Sequence, residues 1–372
     1  MPKYQILQIV DGLGRGGVES FLYDLCKAQV ARGNKVTLVS LIEPRVEYRP
    51  IIEDLNSVGV EFISLGASNR KEALSKWRLL KTILKDKRKQ GPVVCNSHLK
   101  LGTLVAVLAK LGSARIALCE TYHSQYKKYY LQHLLMRPFI SKYIAVSQSA
   151  ADEMIARFHV ASNKIVVIKN GVDIQQLHKK AKREAHRKHI FVSVGRFTIQ
   201  KNFTPVITAF SQINSSNAEY HIIGDGELKD EYIRAANNDN RIKFLGSVDR
   251  ETVLNEIINS DALIMPSKWE GLSIVQLEAI CLHVPLVLSN IKSFCEVMKE
   301  PELVSGERFR ECEWGFLINE NDIDGYKAII ESILCGNINI EKKREFLASL
   351  SREYDIICVA ERYLSVYESI MK

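Results

Sequence analysis

The sequence contains no apolar run of 18 residues, no C-x-x-C pair and no secretory signal at its amino terminus. These absences argue against a membrane-spanning helix and against export, so we expect the protein to stay in the cytoplasm. The eight cysteines are scattered and lie mostly within apolar runs, which favours reduced, structural thiols. No low-complexity segment or fixed-period repeat is present, which argues against a repeat architecture.

The chain is long enough for two domains, with 372 residues of which 46% are apolar and 25% charged. Short apolar runs typical of strands alternate with longer helical patterns. This alternation predicts an α/β fold with two Rossmann-like, doubly wound parallel sheets covered by helices on both faces. The predicted strands are 5–10, 35–41, 60–64, 93–96, 116–120, 143–146 and 165–168, then 190–195, 219–224, 242–245, 262–265, 286–289 and 315–318.

A domain boundary is predicted after the segment Asn-Gly-Val-Asp at 170–173. The following stretch, 178–189, is almost entirely Lys, Arg, His, Glu and Ala and has no apolar periodicity. We therefore predict domains at 1–173 and 189–354 joined by a linker at 174–188, with a final helix at 355–372 packing back on the first domain. Open α/β sheets bind ligands at the carboxyl ends of their strands, which predicts a central cleft between the domains.

Positive charge is concentrated in the segment 70–89, which has nine basic residues against two acidic ones in a chain of net charge +8. Apolar residues recur within it at helical spacing, which predicts a basic amphipathic helix that can lie on an anionic membrane surface. The alternative is a surface helix that buries its apolar stripe in the domain. No recognition motif accompanies the charge, so we do not expect nucleic acid as a partner.

A glycine-rich loop, DGLGRGGVE at 11–19, joins the first predicted strand to a helix. Gly12, Gly14 and Gly17 satisfy the dinucleotide fingerprint G-x-G-x-x-G. Binding of NAD also requires an acidic residue about 20 residues further on, but the candidate, Glu43, lies 26 residues beyond Gly17. We therefore interpret the segment as a loop whose backbone amides approach an anion without NAD.

Two strand-to-helix loops of the predicted second domain carry further candidates. The first contains Gly195, Arg196 and Lys201, and its two cations can neutralise a departing diphosphate. The second contains Gly224 and Asp225, which bring backbone close to a ligand. The structural alternatives are two solvated cations and an ordinary turn.

The most informative segment is MPSKWEGLSIVQLE at 265–278, which follows a predicted buried strand and enters a helix. Glu270 lies on the loop and Glu278 in the helix. Positions eight apart on one helix differ by about 80°, so a shared site requires the loop to turn Glu270 inward. The loop then presents backbone N–H groups to a phosphate at the helix amino terminus, from Gly271, Leu272, Ser273 and Ile274. The alternative is one surface carboxylate and one helical carboxylate.

Two histidines, His98 and His123, end predicted strands of the first domain and face the predicted cleft. Neither has metal-ligand spacing. Asp322 and Asp324 form a literal D-x-D, but Asp322 precedes a helical pattern and is interpreted as a helix cap. We therefore predict no metal site.

In this order and context, the motifs resemble those of the GT-B glycosyltransferases of glycosyltransferase family 4, over nearly the whole chain. The resemblance is carried by Gly16, Gly17 and Glu19 in the first loop, the segment 170–173, Gly195-Arg196 with Lys201, and the E-x7-E element of Glu270 and Glu278.

The resemblance implies that the second domain binds a nucleotide sugar and the first domain binds the acceptor. Arg196 and Lys201 would hold the diphosphate, Glu270 would contact the hydroxyls of the donor sugar, and Glu278 would bind the ribose. His123 would lie close to the reacting sugar. Other donor-binding positions implied are Gly16, Gly17, Gly195, Gly224, Asp225 and Gly271 to Ile274, and Glu19 and His98 would lie on the acceptor side.

The resemblance also implies retention of anomeric configuration, with no divalent metal and no other cofactor. Asn202 stands where many members have Gly, and Leu272 stands where Phe is common. Both departures leave the identity of the donor sugar open.

We therefore predict a retaining, metal-independent hexosyltransferase that moves a sugar from a nucleotide diphosphate sugar, with UDP as the expected nucleotide. The expected acceptor is a hydroxyl of a glycan or lipid-linked saccharide in surface polysaccharide biosynthesis (capsule, exopolysaccharide or O-antigen). Such an acceptor would suit a peripheral position on the inner face of the cytoplasmic membrane. The alternatives are a nucleotide-sugar epimerase of the same architecture and a non-catalytic nucleotide-sugar-binding protein.

Overall fold

The computed structural model describes residues 4–14, 16–111, 116–123, 130–184 and 188–371. The chain forms two compact domains. The first comprises Met1–Gly171 together with Ile356–Lys372, and the second comprises Val172–Asp355.

Within the described residues, the sheet of the first domain has seven strands, all parallel. They are β1 (Gln5–Val10), β2 (Lys35–Ile42), β3 (Glu61–Ala67), β4 (Val93–His98), β5 (Ile116–Tyr122), β6 (Lys142–Ala145) and β7 (Ile165–Val167). Their order is β3-β2-β1-β4-β5-β6-β7. Every residue of β1, β4 and β5 is buried, as expected for parallel strands covered on both faces.

The helices of the first domain follow the strands in the alternation that the sequence predicted. They are α1 (Gly17–Ala31), α2 (Arg49–Ser57), α3 (Arg70–Ser75), α4 (Trp77–Lys89), α5 (Lys100–Lys110), α6 (Tyr130–Met136) and α7 (Gln148–Phe158). Short polar side chains fix several of their starting points. Asn69 accepts hydrogen bonds from the backbone N–H groups of Lys71 and Glu72 at the start of α3, and Ser147 accepts one from Ala150 at the start of α7.

The second domain repeats this topology with one antiparallel edge. Its strands are β8 (His189–Val194), β9 (Ala218–Ile223), β10 (Ile242–Gly246), β11 (Ala262–Met265), β12 (Leu286–Ser289), β13 (Phe309–Cys312) and β14 (Gly315–Ile318). Their order is β10-β9-β8-β11-β12-β14-β13. Its helices are α8 (Ile174–Lys180), α9 (Thr204–Ser211), α10 (Lys229–Ala235), α11 (Arg250–Ile258), α12 (Ile274–Cys281), α13 (Lys292–Met298), α14 (Ile323–Leu334) and α15 (Ile340–Ser351).

The last helix, α16 (Ile356–Met371), belongs to the first domain. The rings of Phe21 in α1 and Tyr363 in α16 are 6.0 Å apart. Gln8 of β1 donates from Nε2 to the hydroxyl of Tyr367 at 3.2 Å. The carboxyl-terminal helix therefore contacts both α1 and a side chain of the central strand.

The segment predicted as a linker, 174–188, is more ordered than its composition suggested; its residues 185–187 lie outside the described residues. It begins with α8, which is capped by Asp173 and buries Leu177. Beyond this helix, the backbone N–H of Lys182 donates to Asn255 of α11 at 2.9 Å. The sequence shows no apolar periodicity for this helix because only one of its side chains, Leu177, is buried.

The basic segment 70–89 forms two helices, α3 and α4, instead of the single predicted one. Leu80 and Leu84 are buried in the core of the first domain, and Trp77 and Ile83 pack partly buried against it. The structure therefore agrees with the alternative, in which the apolar stripe is buried in the domain and the charges face solvent.

All thirteen predicted strands form, with shifts of a few residues at their ends. Strand β13, which pairs antiparallel with β14, was not predicted. This strand is short and buries only one residue, so it lacks the apolar run by which the others were recognised. The eight cysteines lie within the described ranges and are unpaired, and six of them are buried, as predicted.

Candidate active site

Two of the predicted charged residues of the second domain, Lys201 and Glu270, meet where the strand order reverses. Strand β8 lies at the centre of the sheet, with β9 on one side and β11 on the other. The loop after β8 carries Arg196 and Lys201, and the loop after β11 carries Glu270. Doubly wound sheets bind ligands at this switch point because the two loops diverge there to opposite faces.

Lys201 and Glu270 form an ion pair at this point. Lys201 Nζ lies 2.5 Å from Glu270 Oε1, and the two side chains are only 15% and 9% exposed. Ser267 donates its hydroxyl to the same carboxylate oxygen at 3.0 Å, and Gln200 Nε2 lies 3.3 Å from the other oxygen. The β11–α12 loop thus turns Glu270 inward, which the sequence analysis had required for a shared site.

The backbone also joins the two loops. The N–H of Lys268 donates to the carbonyl of Gln200 at 2.9 Å, and the side chain of Gln200 donates to the carbonyl of Trp269 at 2.9 Å. Arg196 is exposed beside them. The arrangement therefore presents one exposed cation and one largely buried ion pair on two hydrogen-bonded loops.

Helix α12 begins at Ile274, four residues after Glu270. Ser273 stands at the cap position and makes no side-chain capping hydrogen bond. Gly271 is partly exposed, whereas Leu272, Ser273 and Ile274 are largely buried. A helix start of this kind directs N–H groups toward an anion.

Glu278 lies one helical turn further along α12 and is 4% exposed. Its Oε1 accepts from Nε of Arg250, at the start of α11, at 3.2 Å. Arg250 was not predicted as a site residue; the signal available was its position directly after Asp249, which caps α11.

The glycines of the two loops have a packing role in the structure. The N–H of Phe197 donates to the carbonyl of Asp225 at 3.0 Å, so the loops after β8 and β9 run side by side. A Cβ on Gly224 would lie 2.0 Å from the carbonyl oxygen of Gly195, and Gly224 has a φ of 138°. Only glycine at position 224 allows this close approach of the two backbones. Asp225 itself is exposed, and its Oδ2 lies 3.3 Å from Nζ of Lys229.

Asn202, one of the two departures from the family pattern, has a left-handed backbone with a φ of 52°. Glycine favours this conformation, and Asn is among the residues that tolerate it. The side-chain amide uses this position to contact Pro266 O at 3.2 Å and Glu320 O at 3.1 Å. Asn202 therefore keeps the backbone geometry and ties the Lys201 loop to two neighbouring loops.

In the first domain, the glycine-rich loop curls around the start of α1; Arg15 lies outside the described residues. Tyr23 donates its hydroxyl to the carbonyl of Gly14 at 3.1 Å. The carboxylate of Glu19 lies over the loop, because a Cβ on Gly16 would be 2.5 Å from its Oε2. Gly17 is the first residue of the helix.

His98 and His123 meet at the carboxyl ends of β4 and β5. His98 Nδ1 lies 2.8 Å from His123 Nε2, and the two side chains are 0% and 5% exposed. Burial lowers the pKa of His98 well below its usual value and the pKa of His123 to about 3. Both rings are therefore neutral near pH 7, and His98 has no surface of its own with which to contact a ligand.

Two polar residues inside buried strands complete this cluster and were missed in the sequence analysis. Gln8 of β1 lies with Oε1 2.8 Å from His98 Nε2, and Asn96 of β4 donates to the same oxygen at 3.1 Å. Both residues are 0% exposed. The available signal was an amide within an otherwise apolar strand, since buried polar groups require partners.

Asp322 caps α14 by accepting a hydrogen bond from the N–H of Gly325 at 3.0 Å, as predicted. In the described ranges, no group of three or more His, Cys, Asp or Glu side chains could hold a metal ion. The helices described include none with the length and apolar character needed to cross a bilayer.

Comparison with known families agrees with this architecture. Residues 15–176 match the family model described as Glycosyltransferase Family 4, and residues 174–351 match the model described as Glycosyl transferases group 1. The chain therefore belongs to these glycosyltransferase families. Its two parallel-sheet α/β domains have the GT-B fold.

Particular relatives match over shorter lengths. The Escherichia coli UDP-Gal:alpha-D-GlcNAc-diphosphoundecaprenol alpha-1,3-galactosyltransferase is 32% identical over 190 residues, 46% of each chain. A Klebsiella pneumoniae protein, described as an uncharacterized 41.2 kDa protein in the cps region, is 26% identical over 219 residues, 56% of each chain. The match thus spans about half the length of these curated relatives.

Solved structures match over the whole chain. A Rickettsia africae glycosyltransferase superposes with a TM-score of 0.79 and 17% identity, covering 100% of both chains. Anabaena HepE in complex with UDP superposes with a TM-score of 0.76 and 16% identity, covering 98% of this chain and 100% of that one. At these identities the similarity establishes the fold.

Proposed function

We propose that the protein is a retaining glycosyltransferase that moves a sugar from a UDP-sugar to a hydroxyl of a saccharide acceptor. The observation that carries the proposal is the Lys201–Glu270 pair, with Nζ and Oε1 2.5 Å apart, beside exposed Arg196 at the switch point of the second domain. Arg196 and Lys201 can neutralise the negative charge of a diphosphate. Glu270 can accept hydrogen bonds from the hydroxyls of a sugar.

In this proposal, different residues of the second domain bind different parts of the donor. Arg196, Lys201 and the amino terminus of α12 bind the diphosphate, whose charge grows as the bond to the sugar breaks. Glu270 orients the sugar, and Glu278 accepts hydrogen bonds from the ribose hydroxyls. Orientation and charge stabilisation are the two contributions that these side chains can make.

The chemistry that follows is a displacement on one face of the sugar. The bond between the anomeric carbon and the diphosphate oxygen breaks, and the acceptor oxygen bonds to that carbon from the same face. A leaving phosphate oxygen takes the proton of the acceptor hydroxyl, so the products are the glycosylated acceptor and UDP. This route uses the leaving group as the base and employs neither a protein carboxylate nor a metal for that step.

Relatives suggest the substrate class. The E. coli relative is named for transfer of galactose from UDP-Gal to a GlcNAc-diphosphoundecaprenol, and another relative from that species is named a lipopolysaccharide 1,6-galactosyltransferase. We extend this to a lipid-linked saccharide acceptor in surface polysaccharide assembly. Access to such an acceptor would be aided by electrostatic attraction of α3 and α4 to an anionic membrane, since charge alone can hold a protein at that surface.

The test is donor turnover by the full-length protein in the presence of EDTA. The protein is incubated with a panel of UDP-, GDP- and ADP-sugars, and nucleotide release is followed for the wild type, Glu270→Ala and the control Lys268→Ala, which alters an exposed neighbour on the same loop. Slow release from one donor, lost only in Glu270→Ala, is the expected result.

Three outcomes would contradict the proposal. Turnover that disappears in EDTA and returns with a divalent cation would remove the metal-free mechanism. Acceptor-independent release of UDP with an epimerised sugar would indicate an epimerase. Binding of donors without turnover, even with saccharide acceptors present, would indicate a nucleotide-sugar-binding protein.

A further inference from the structure

The carboxylate of Glu270 is held by three side chains, of which only Lys201 is charged. Lys201 Nζ and Ser267 Oγ lie 2.5 and 3.0 Å from its Oε1, and Gln200 Nε2 lies 3.3 Å from its Oε2. A carboxylate can accept at about four positions, two on each oxygen. Among the described residues, these contacts fill Oε1 and leave one position on Oε2 for a further hydrogen-bond donor.

Gln200 is fixed between the two loops of the site. Its Nε2 also donates to the carbonyl of Trp269 at 2.9 Å, and its own carbonyl accepts from the N–H of Lys268 at 2.9 Å. A carbonyl and a carboxylate can only accept, so the amide nitrogen of Gln200, which has two hydrogens, must face both of them. The contact to Glu270 therefore comes from an amide whose orientation is determined by the backbone.

Ser267 supplies a second anchor, on the side of the sheet. It is 1% exposed and lies two residues after Met265, the last residue of β11. Its carbonyl accepts a hydrogen bond at 2.5 Å from Oγ of Ser289, the last residue of β12. Because a carboxylate only accepts, the hydroxyl of Ser267 donates to Glu270 from a position that two neighbouring strands hold in place.

Lys201 differs from these two neutral donors because the proposed function gives it a second ligand. Its ammonium has three hydrogens on a flexible stem of four carbons, so it can turn toward a diphosphate. A carboxylate held by Lys201 alone would be free to turn when that lysine binds phosphate. With Ser267 and Gln200 in place, the orientation of Glu270 does not depend on the lysine.

We propose that Gln200 and Ser267 are positioning residues that hold the Glu270 carboxylate independently of Lys201, so that its Oε2 accepts from one hydroxyl of the donor sugar. The sugar and the diphosphate rest on the proposed function, whereas the hold on the carboxylate rests only on contacts within the second domain. Gln200 and Ser267 carry no charge, so a departing diphosphate attracts Lys201 more strongly than it attracts them. The lysine can then bind the diphosphate while Glu270 keeps the sugar oriented.

Crystal structures of the full-length protein without ligand test the hold directly. In Lys201→Met, which keeps a long stem and removes the charge, Glu270 should stay within hydrogen-bonding distance of Ser267 and Gln200. In the double variant Gln200→Met with Ser267→Ala, the carboxylate should turn away although Lys201 is present. A carboxylate that leaves its place in Lys201→Met, or that keeps it in the double variant, would overturn the proposal.

The wild type crystallised with UDP keeps the test available should Lys201→Met not fold. Lys201 Nζ is then expected within hydrogen-bonding distance of a phosphate oxygen, with Glu270 still in contact with Ser267 and Gln200. A Glu270 side chain that moves together with Lys201 would overturn the proposal.

Binding and turnover test the consequence for the substrate. Gln200→Met has nearly the same shape as the wild type and no donor. It should leave the affinity for UDP within about twofold, while the rate of UDP release from UDP-galactose or UDP-glucose falls roughly tenfold because the sugar is misplaced. Gln200→Glu, which sets a like charge beside Glu270, should be slower still. The matched control is Ile199→Ala on the same loop, which alters a side chain that is 59% exposed and should behave as the wild type.

A structural role for Gln200 would give a different pattern. It would weaken UDP and the UDP-sugars alike, or leave Gln200→Met as active as the wild type, and either result would overturn the proposal. If the wild type releases UDP from no UDP-sugar, the proposed function fails. The structures of the free protein then still decide whether Gln200 and Ser267 hold the carboxylate of Glu270.

Discussion

Lys201 and Glu270 are 69 positions apart in the sequence, yet their side chains form an ion pair at 2.5 Å between two loops of the second domain. Both lie largely out of solvent, so each charge depends on the other for compensation. In the proposed function the two residues have different ligands, a diphosphate for Lys201 and sugar hydroxyls for Glu270. Because the Lys201 ammonium has three hydrogen-bond donors, a bound donor can share this contact or replace it.

Substitution of the two partners should separate their roles. Lys201→Ala should weaken UDP binding by about tenfold to a hundredfold, since one charge-assisted hydrogen bond contributes about 1.5–3 kcal/mol. Glu270→Gln should change UDP affinity by less than about fivefold, because it removes a competing charge and no proposed contact to the nucleotide. Isothermal titration calorimetry measures both, with Lys268→Ala as the exposed control. Equal losses in the two variants would contradict the division of roles.

Glu278 should be specific for the ribose. Glu278→Gln is expected to weaken UDP about tenfold, the effect of replacing a charged hydrogen-bond acceptor by a neutral one. The same change should leave the affinity for 2′,3′-dideoxy-UDP unaltered, since that ligand lacks the hydroxyls. Competition binding with the two nucleotides provides the measurement. A parallel loss for both would mean that Glu278 acts through Arg250 or the fold and not through ribose.

The left-handed backbone at Asn202 predicts an unusual order of stabilities. Asn202→Gly introduces the residue that most readily adopts a φ of 52°, whereas Asn202→Ala introduces a residue that seldom adopts it. Both variants lose the side-chain contacts to the neighbouring loops. We therefore expect the free energy of unfolding to be about 1 kcal/mol lower for Ala than for Gly in urea titrations. Equal stabilities would indicate that the loop relaxes around the substitution.

His133 should make the first domain sensitive to acid. It is buried against Phe158, with ring centroids 4.1 Å apart, and neither ring nitrogen has a hydrogen-bond partner among the residues that the structure describes. Burial lowers its pKa to about 3. Between that value and the ordinary pKa near 6.5, only the unfolded chain binds the proton, so stability is lost as pH falls below about 6.5.

Replacing His133 by a residue that does not titrate should therefore stabilise the protein more at acidic pH than at alkaline pH. His133→Leu is expected to raise the free energy of unfolding by about 2 kcal/mol more at pH 5 than at pH 8, from a difference of about 1.5 pH units at about 1.4 kcal/mol each. Urea unfolding followed by fluorescence at the two pH values measures the difference. The same gain at both pH values would mean that the benefit comes from packing alone.

The basic surface of α4 should bind anionic vesicles through charge alone, because its apolar stripe is used in the core. Reversing Lys85 and Arg88 to Glu should reduce sedimentation with phosphatidylserine vesicles by about tenfold or more, at about 1 kcal/mol per basic residue near the surface. Reversing Lys179 and Lys180 in α8 is the matched control. Equal losses in both double variants, or binding to phosphatidylcholine that survives high salt, would contradict a specific basic surface.

Much of the fold was accessible from the sequence because local rules specify it. Continuous apolar runs gave the parallel strands, and Asp322 marked the start of a helix through its capping side chain. The predictions failed where the local signal was weak. Strand β13 has two charged residues and buries only Cys312, and α8 buries only Leu177, so neither shows a periodicity that distinguishes it from a loop.

The sequence by itself determined which residue types lie at the strand ends and in the segments that follow them: the cations at 196 and 201, the carboxylate at 270, the carboxylate at 278 in the next helix, and the histidines at 98 and 123. Only the tertiary structure decided their partners, because hydrogen bonds depend on which loops the sheet order brings together. It paired Lys201 with Glu270 and Arg250 with Glu278. It also enclosed His98 completely, which makes Gln8 a partner that no spacing in the sequence could reveal. Strand order sets these contacts, and strand order is a property of packing across the whole domain.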